Sequence, residues 1–402
     1  MTTRLLQAAA ASAALLIAAG CNSAAENAAA SNDVIWDTLS SGGVRAVYSS
    51  FPVFPLTTRS DLRVGAVGSA TFGDVRGIDV DRTGRILVLD AQAMELLAFD
   101  TTGAPAGVVM KKGEGPSEIA GANGFRLDTL GGIWVNDHGR GSQVTRLKDG
   151  QFTTFAMPRQ ESGFVWEGGV THDGRIWDFE YRPLAGSDPA PAQNGVVEIQ
   201  AELFLKKLDP TSGAVDSVSL GTRTLRSVAF PGGTLSIPYV PTTLLAVDPA
   251  GAVWTAMADV DRLVKLSGTG DTLVIVELPG MGPPSTPAER AREIEKRTRG
   301  LSESGRRGVE AVDWESIIPR NKPVLVNLAV DDQGRVWVQR RTLSRGPVFD
   351  VLDANGVLLG SIDPDFDAAD HLPPVIRGES FYVVVTDSLD VSSVVRAPVP
   401  FR

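Results

Sequence analysis

The chain has 402 residues with 48 acidic against 38 basic side chains, a formal charge of −10 and a pI near 5.0. That balance argues against nucleic acid as a partner, because neutralising a phosphate backbone needs a basic stripe and no Lys/Arg run here opposes the global sign. A hydrophobic content of 43%, a single Cys and three His describe a globular chain with no disulfide framework and no Cys-rich zinc site.

The first element is an address. Arg4 supplies a positive start, Ala8 to Ala19 form an apolar stretch broken by Ser12, and Ala18, Ala19 and Gly20 precede the lone Cys21. The stretch is too short to span a bilayer, which takes about 20 apolar residues, and no later segment is long enough. Small residues before a single Cys resemble the lipobox of bacterial lipoproteins, with Ala18 where that family usually has Leu. The resemblance makes residues 1–20 a lipoprotein signal peptide and Cys21 the lipidated terminus; the alternative is an ordinary secreted protein in which Cys21 is incidental. Residues 21–32, rich in Ala, Ser and Asn, read as a flexible tether. In the lipoproteins it resembles, an Asp after the lipidated Cys marks inner-membrane retention. Asn22 stands there instead, so an outer-membrane anchor is expected in a Gram-negative host. The membrane is then met through the lipid alone, by a chain expected to be monomeric.

Residues 33–402 repeat one pattern: an apolar alternating run, an Asp, two turn residues, a Gly, one residue, and a β-branched or aromatic run. The turns are Asp81 to Gly84, Asp128 to Gly131, Thr171 to Gly174, Asp248 to Gly251 and Asp331 to Gly334, with a degenerate copy at Val375 to Gly378. Asp bonds the backbone of its own turn, and Gly takes the positive φ that closes it. The glycines stand 47, 43, 77, 83 and 44 residues apart. About 45 residues suit a four-stranded antiparallel unit, and second turns at Asp100 to Gly103, Asp209 to Gly213 and Asp353 to Gly356 mark its other hairpin. The reading is all-β: a six-bladed β-propeller of four-stranded antiparallel blades.

In blade one the strands are expected at 76–80, 85–89, 95–99 and 105–110. Trp134, Trp177, Trp254 and Trp337 recur in second strands, where they are read as packing between blades. The last copy runs out of strands after Ser392 to Pro398, so its fourth strand should come from the N-terminal side, with Leu62 to Val67 as the candidate. Val34 to Leu39 and Val44 to Tyr48 read as a further hairpin of unassigned place. The pattern resembles the NHL-repeat propellers found among bacterial lipoproteins, and Lys112 to Glu118 looks like their glycine-rich interblade loop.

Two intervals are stretched. The 77-residue one carries a Pro, Ala and Gly-rich connection near Pro183 to Gly195. The 83-residue one carries a small helical insertion between blades four and five, at 285–318, where Thr286, Pro287 and Glu289 form a capping pattern. Glu293 with Arg297 and Glu295 with Arg299 stand at ion-pair spacing. The stripe of Ala291, Ile294, Thr298 and Leu301 is too thin for an isolated helix and calls for support from the propeller.

Chemistry in a propeller is expected where the channel meets the loops that enter first strands and leave second ones. Aligning copies by their Gly places Asp90, Asp137, Glu180 and Arg340 six residues after it, and Glu167, Asn327 and His371 seven before. With His138 and Asp259 these are the candidate residues of the channel mouth. Hard oxygen ligands of this kind suit calcium or another divalent cation; the simpler reading is that each Asp ends a strand and bonds a turn, with no cofactor required. No nucleophile elbow and no phosphate loop is present. The expected function is a membrane-anchored, extracytoplasmic binding or scaffold module for a peptide, glycan or protein. The alternative is a metal-assisted hydrolase or lyase of the lactonase type.

Overall fold

A computed structural model describes residues 34–400 apart from 51–55, 66–70, 116–117, 140, 142, 157–164, 172–173, 187–194, 231–232, 249, 258–261, 281, 344–346 and 390. The signal peptide, Cys21, the tether, Asp259 and most of the Pro183 to Gly195 connection therefore lie outside the described residues. Among the described residues no helix is long and apolar enough to cross a membrane.

Four short N-terminal strands come first: β1 (Val34–Thr38), β2 (Val44–Tyr48), β3 (Leu56–Thr58) and β4 (Leu62–Val64). Blade one holds β5 (Val75–Val80), β6 (Ile86–Asp90), β7 (Glu95–Phe99), β8 (Pro105–Lys112) and a parallel strip, β9 (Glu118–Ile119). Blade two is β10 (Ala122–Leu127), β11 (Ile133–Asp137), β12 (Gln143–Lys148) and β13 (Gln151–Ala156). Blade three is β14 (Gly169–Val170), β15 (Ile176–Pro183), the long pair β16 (Val196–Leu208) and β17 (Val215–Phe230), and β18 (Gly233–Ser236). Blade four is β19 (Thr243–Val247), β20 (Val253–Met257), β21 (Arg262–Leu266) and β22 (Thr272–Glu277). The insertion follows as α1 (Pro287–Thr298), α2 (Glu303–Glu310) and α3 (Trp314–Ile317). Blade five is β23 (Leu325–Val330), β24 (Val336–Arg340), β25 (Val348–Leu352) and β26 (Leu358–Pro364), and blade six is β27 (Val375–Arg377), β28 (Ser380–Thr386) and β29 (Ser392–Pro398).

The fold is the six-bladed propeller expected from the repeat, with successive antiparallel strands in each blade. Each repeated Gly turns at a φ between 58° and 88°. The turn aspartates do more than close their turns. The Asp331 carboxylate accepts the amides of Gln333 and Arg335 on one oxygen, and the Arg335 Nε and the Trp337 indole N–H on the other. Asp128 likewise takes the Leu130 and Gly132 amides and the Trp134 indole at 2.9 Å. Trp134 and Trp337 are therefore fixed by the turn that precedes them, and the repeated rings fill the core: Trp134, Trp254 and Trp337 are all fully buried, and Trp337 meets Phe381 of the next blade at 5.5 Å. At Gly169 and Gly124 the packing leaves no room for a Cβ against Trp177 and Trp166.

Closure is as expected. β4 pairs antiparallel with β29 (Val64 with Val394, Leu62 with Arg396) and supplies the fourth strand of blade six. The placement of the earlier strands is new: β2 adds parallel to β22 with β1 outside it, and β3 adds parallel to β26. The chain thus runs along the outer rims of blades four and five before it closes blade six and enters blade one. Tyr48 shows why the rim strand matters. Its hydroxyl donates to the Gly356 carbonyl at 2.9 Å and accepts the Leu358 amide at 2.8 Å, tying blade four to a turn of blade five.

The capping pattern of α1 is present in full: Thr286 accepts the Glu289 amide, and Glu289 accepts the Thr286 amide. The expected Glu293 and Arg297 ion pair forms, whereas Arg299 is the C-cap residue, its amide donating to the Glu295 carbonyl. Support comes from a cluster in which Ile294 and Trp314 pack with Val196, Val228 and Ile237 of the extended blade three. The Arg297 Nε reaches Ser236 Oγ at 3.3 Å, while the charge of Lys296 acts on His371 of blade six.

Two outcomes follow from these contacts. Tyr48→Phe leaves the Gly356 carbonyl and the Leu358 amide without their partner, and is expected to cost about 1–3 kcal/mol in chemical denaturation; an unchanged midpoint would detach the rim strands from stability. Glu289 is held down at about 2, first by the Lys322 ammonium and, against partial burial, by Thr286. A lowered carboxylate pKa stabilises above its unfolded value near 4.5 and loses that contribution as pH falls through about 2. The melting-temperature gap between the wild type and Glu289→Gln should therefore be present at neutral pH, shrink below about 4.5 and vanish near 2.

Candidate functional site

The residues expected at the loop-face mouth sit around the ring, each engaged within or next to its own blade. Asp90 ends β6 and accepts four amides, from Gly73, Asp74, Gln92 and Ala93, at 2.9–3.3 Å. Asp137 ends β11 and accepts those of Ala120, Gly121 and Gly139 at 2.7–3.2 Å. Both carboxylates are buried, and both tie the loop entering a first strand to the loop leaving the second.

His138 follows Asp137 with its imidazole Nε2 buried and unpartnered among the described residues, and burial lowers its pKa. Glu180 is clasped by Arg182 at 2.7 Å and Lys206 at 2.6 Å; burial raises its pKa, but the two cations outweigh it and hold the carboxyl below its usual range. Arg340 forks onto the fully buried Asp350 at 2.6 and 3.2 Å. The Asn327 amide donates to Gln339 and to the Asp370 and Leu372 carbonyls, and the His371 Nε2 meets the Val75 carbonyl at 3.1 Å across the closure. Among the described residues no three His, Cys, Asp or Glu side chains are grouped so as to hold a metal ion.

The concavity lies elsewhere. A cavity of about 440 Å³ fills the centre of the ring along the second halves of the inner strands and reaches the repeated turns, the face opposite α1. Of the eight sequence candidates among the described residues, Glu167 is the one on its wall. Aligned five residues before each Gly, the wall carries Asp79, Arg126, Gly169, Ala246 and Ala329, and the shortened last hairpin adds Arg377. At that aligned position one arc, from blades six, one and two, is charged and the other, from blades three, four and five, is small and apolar, while Glu167, Asp248, Asp331 and Asp332 add carboxylates elsewhere on the wall of the latter.

The charged arc is stitched across blades. Asp79 accepts the Arg377 guanidinium at 2.7 Å from blade six and the Leu127 amide at 2.9 Å from blade two. Arg126 donates at 2.8 Å to its neighbour's carbonyl on Phe125 and at 3.1 Å to that of Trp166 at the entry to blade three, with its guanidinium 5.6 Å from the Trp166 ring. Desolvation lowers the Arg126 pKa, and the positive charge of Arg377 adds to that against the pull of Asp79, Asp178 and Glu167. Asp79, Arg126 and Arg377 escaped the sequence reading because it looked two residues further from the Gly. The available signal was an ionisable residue inside an inner strand that is otherwise apolar.

No protein-family model and no curated protein sequence matches the chain. Solved structures similar to it include a streptogramin B lyase (12% identity, 83% of this chain and 96% of that one, TM-score 0.43). A gluconolactonase from Xanthomonas campestris (15%, 87% and 98%, TM-score 0.40) and a putative exported protein from Bacteroides fragilis (12%, 88% and 99%, TM-score 0.47) are also similar. At these identities the likeness is one of fold alone.

If Asp79 is the staple of blades six, one and two, Asp79→Ala should cost on the order of 3 kcal/mol, since it strands the Leu127 amide and leaves Arg377 without its carboxylate. Ala246→Gly, at the matching position of the apolar arc, should cost about 1 kcal/mol or less. Equal losses in urea denaturation would remove the distinction between the two arcs.

Proposed function

We propose that the chain is an extracytoplasmic binding module, anchored through lipidated Cys21, that takes its ligand in the central channel from the turn face. The observation that carries the reading is the cavity itself: a concave site of ordinary small-molecule size, lined by apolar inner-strand residues and by charged groups of the inner strands and turns. The engagement of Asp90 and Asp137 with backbone amides supports binding over metal-assisted hydrolysis, because carboxylates that cap loops serve the fold first. The signal pattern ending at Cys21 supports export and anchoring.

Two measurements test the two halves of this reading. Metabolic labelling with a radioactive fatty acid should mark the wild type and not Cys21→Ser, and the variant should leave the membrane fraction; an unlabelled wild type overturns the anchor. Elemental analysis after purification without chelator should find no stoichiometric cation. A divalent ion that is lost in Asp137→Asn and Glu167→Gln would overturn the binding reading in favour of metal-assisted chemistry.

A further inference from the structure

Arg126 is the unusual group of the channel. Its guanidinium is partly withdrawn from water in the wall of the cavity, and its hydrogen bonds run to two neutral carbonyls, those of Phe125 and Trp166. Among the described residues it forms no ion pair, although Asp79, Asp178 and Glu167 act on its charge from further off. Asp79, also on the wall, is committed to Arg377 and to the Leu127 and Val80 amides. A desolvated cation without a carboxylate partner is costly, and such groups are kept where a ligand completes them. Tying blade two to blade three does not need the charge, since a neutral amide donor would serve the Trp166 carbonyl as well.

The rest of the wall limits what the counter-charge can be. Asp79, Glu167 and the turn carboxylates, Asp332 among them, share the cavity with Arg126, so a dianion such as phosphate meets stronger repulsion than a single carboxylate does. Opposite the charged arc, Ala246, Ala329 and Leu328 offer a smooth apolar surface to the body of the ligand. We propose that the channel binds a small organic carboxylate, its carboxylate seated on Arg126 and its apolar part lying against blades four and five. The proposal rests on the channel being the binding site and adds the chemistry of the ligand.

The test uses phenylacetate with its neutral isostere phenylacetamide, and inorganic phosphate as the competing anion, titrated calorimetrically into the propeller. Phenylacetate should bind at least about tenfold more tightly than phenylacetamide, the scale of one charge-assisted hydrogen-bonded pair, and phosphate should not displace it. Arg126→Gln keeps a donor for the Trp166 carbonyl and removes the charge; it should abolish the preference while leaving the melting temperature close to that of the wild type. Should that variant fold poorly, crystals of the wild type soaked with phenylacetate decide the question by whether the carboxylate sits within hydrogen-bonding distance of Arg126. Equal binding of acid and amide in the channel overturns the carboxylate assignment and leaves the channel reading standing. Displacement by phosphate, or a carboxylate seated away from Arg126, overturns the assignment as well. Binding of neither probe overturns it too, and capture of another ligand blocked by bulk at Ala246 would then show the channel reading to be sound.

Discussion

The pairing of β4 with β29 is the constraint on which the rest of the molecule depends. A ring of six sheets has one seam that the chain does not cross in sequence, and here the strand that fills it lies over three hundred residues from its partner. The seam is reinforced at the rim, where Arg63 donates to the Ser393 hydroxyl at 2.7 Å and Arg396 pairs with Asp61 at 2.8 Å. It is reinforced again at the axis, where Arg377 of blade six meets Asp79 of blade one. Closing the ring covers the open sheet faces that the first and last blades would otherwise present, and leaves only short edges at the axis and the rim. The parallel rim strands extend the same logic, since β2 and β3 cover the outer edges of blades four and five on the way to the seam.

The inner staples and the candidate site are one set of residues, and this explains the asymmetry of the channel. Blades six and one meet at the seam, and their inner strands with that of the adjoining blade two carry Arg377, Asp79 and Arg126, each reaching across a blade boundary. Blades three, four and five are continuous in sequence and pack through Trp177, Trp254 and their neighbours, so Gly169, Ala246 and Ala329 suffice at the same positions. A charge placed for closure is also a charge placed in a cavity. Arg126 is the member of the set whose positive charge the closure does not use.

What the sequence made legible follows from distance along the chain. The Asp-to-Gly turns and the alternation around them are local, so blade number, blade-one strands, the helical insertion and the need for a closing strand could all be read from them. The parallel seats of β2 on β22 and of β3 on β26 could not, because no local pattern says which rim a short strand will cover. The candidate site divided the same way. Asp90 and Asp137 were visible as periodic carboxylates at strand ends, and their amide bonds are what that position serves. Asp79, Arg126 and Arg377 act across blade boundaries, on the Leu127 amide and the Trp166 and Val80 carbonyls, and partners of that kind are set only once the blades are docked.

The insertion and the channel bear on each other. A propeller has two mouths, and the loop-face mouth is the one toward which both large departures from the repeat have grown: the extended β16–β17 pair and the helices between blades four and five. They meet in one cluster through Ile294, Trp314, Val228 and Ile237. Arg297 and Lys296, adjacent in α1, then act on Ser236 and on His371, which belong to opposite blades. Helices of eight and twelve residues with so few apolar positions gain little by themselves. The cavity opens on the other, turn face, where the repeated aspartates are already engaged by their own turns and by Arg85, Arg146, Lys265 and Arg335. Turn carboxylates paired in place repel an anion less than free ones would, and that leaves the charge of Arg126, inside, to select one.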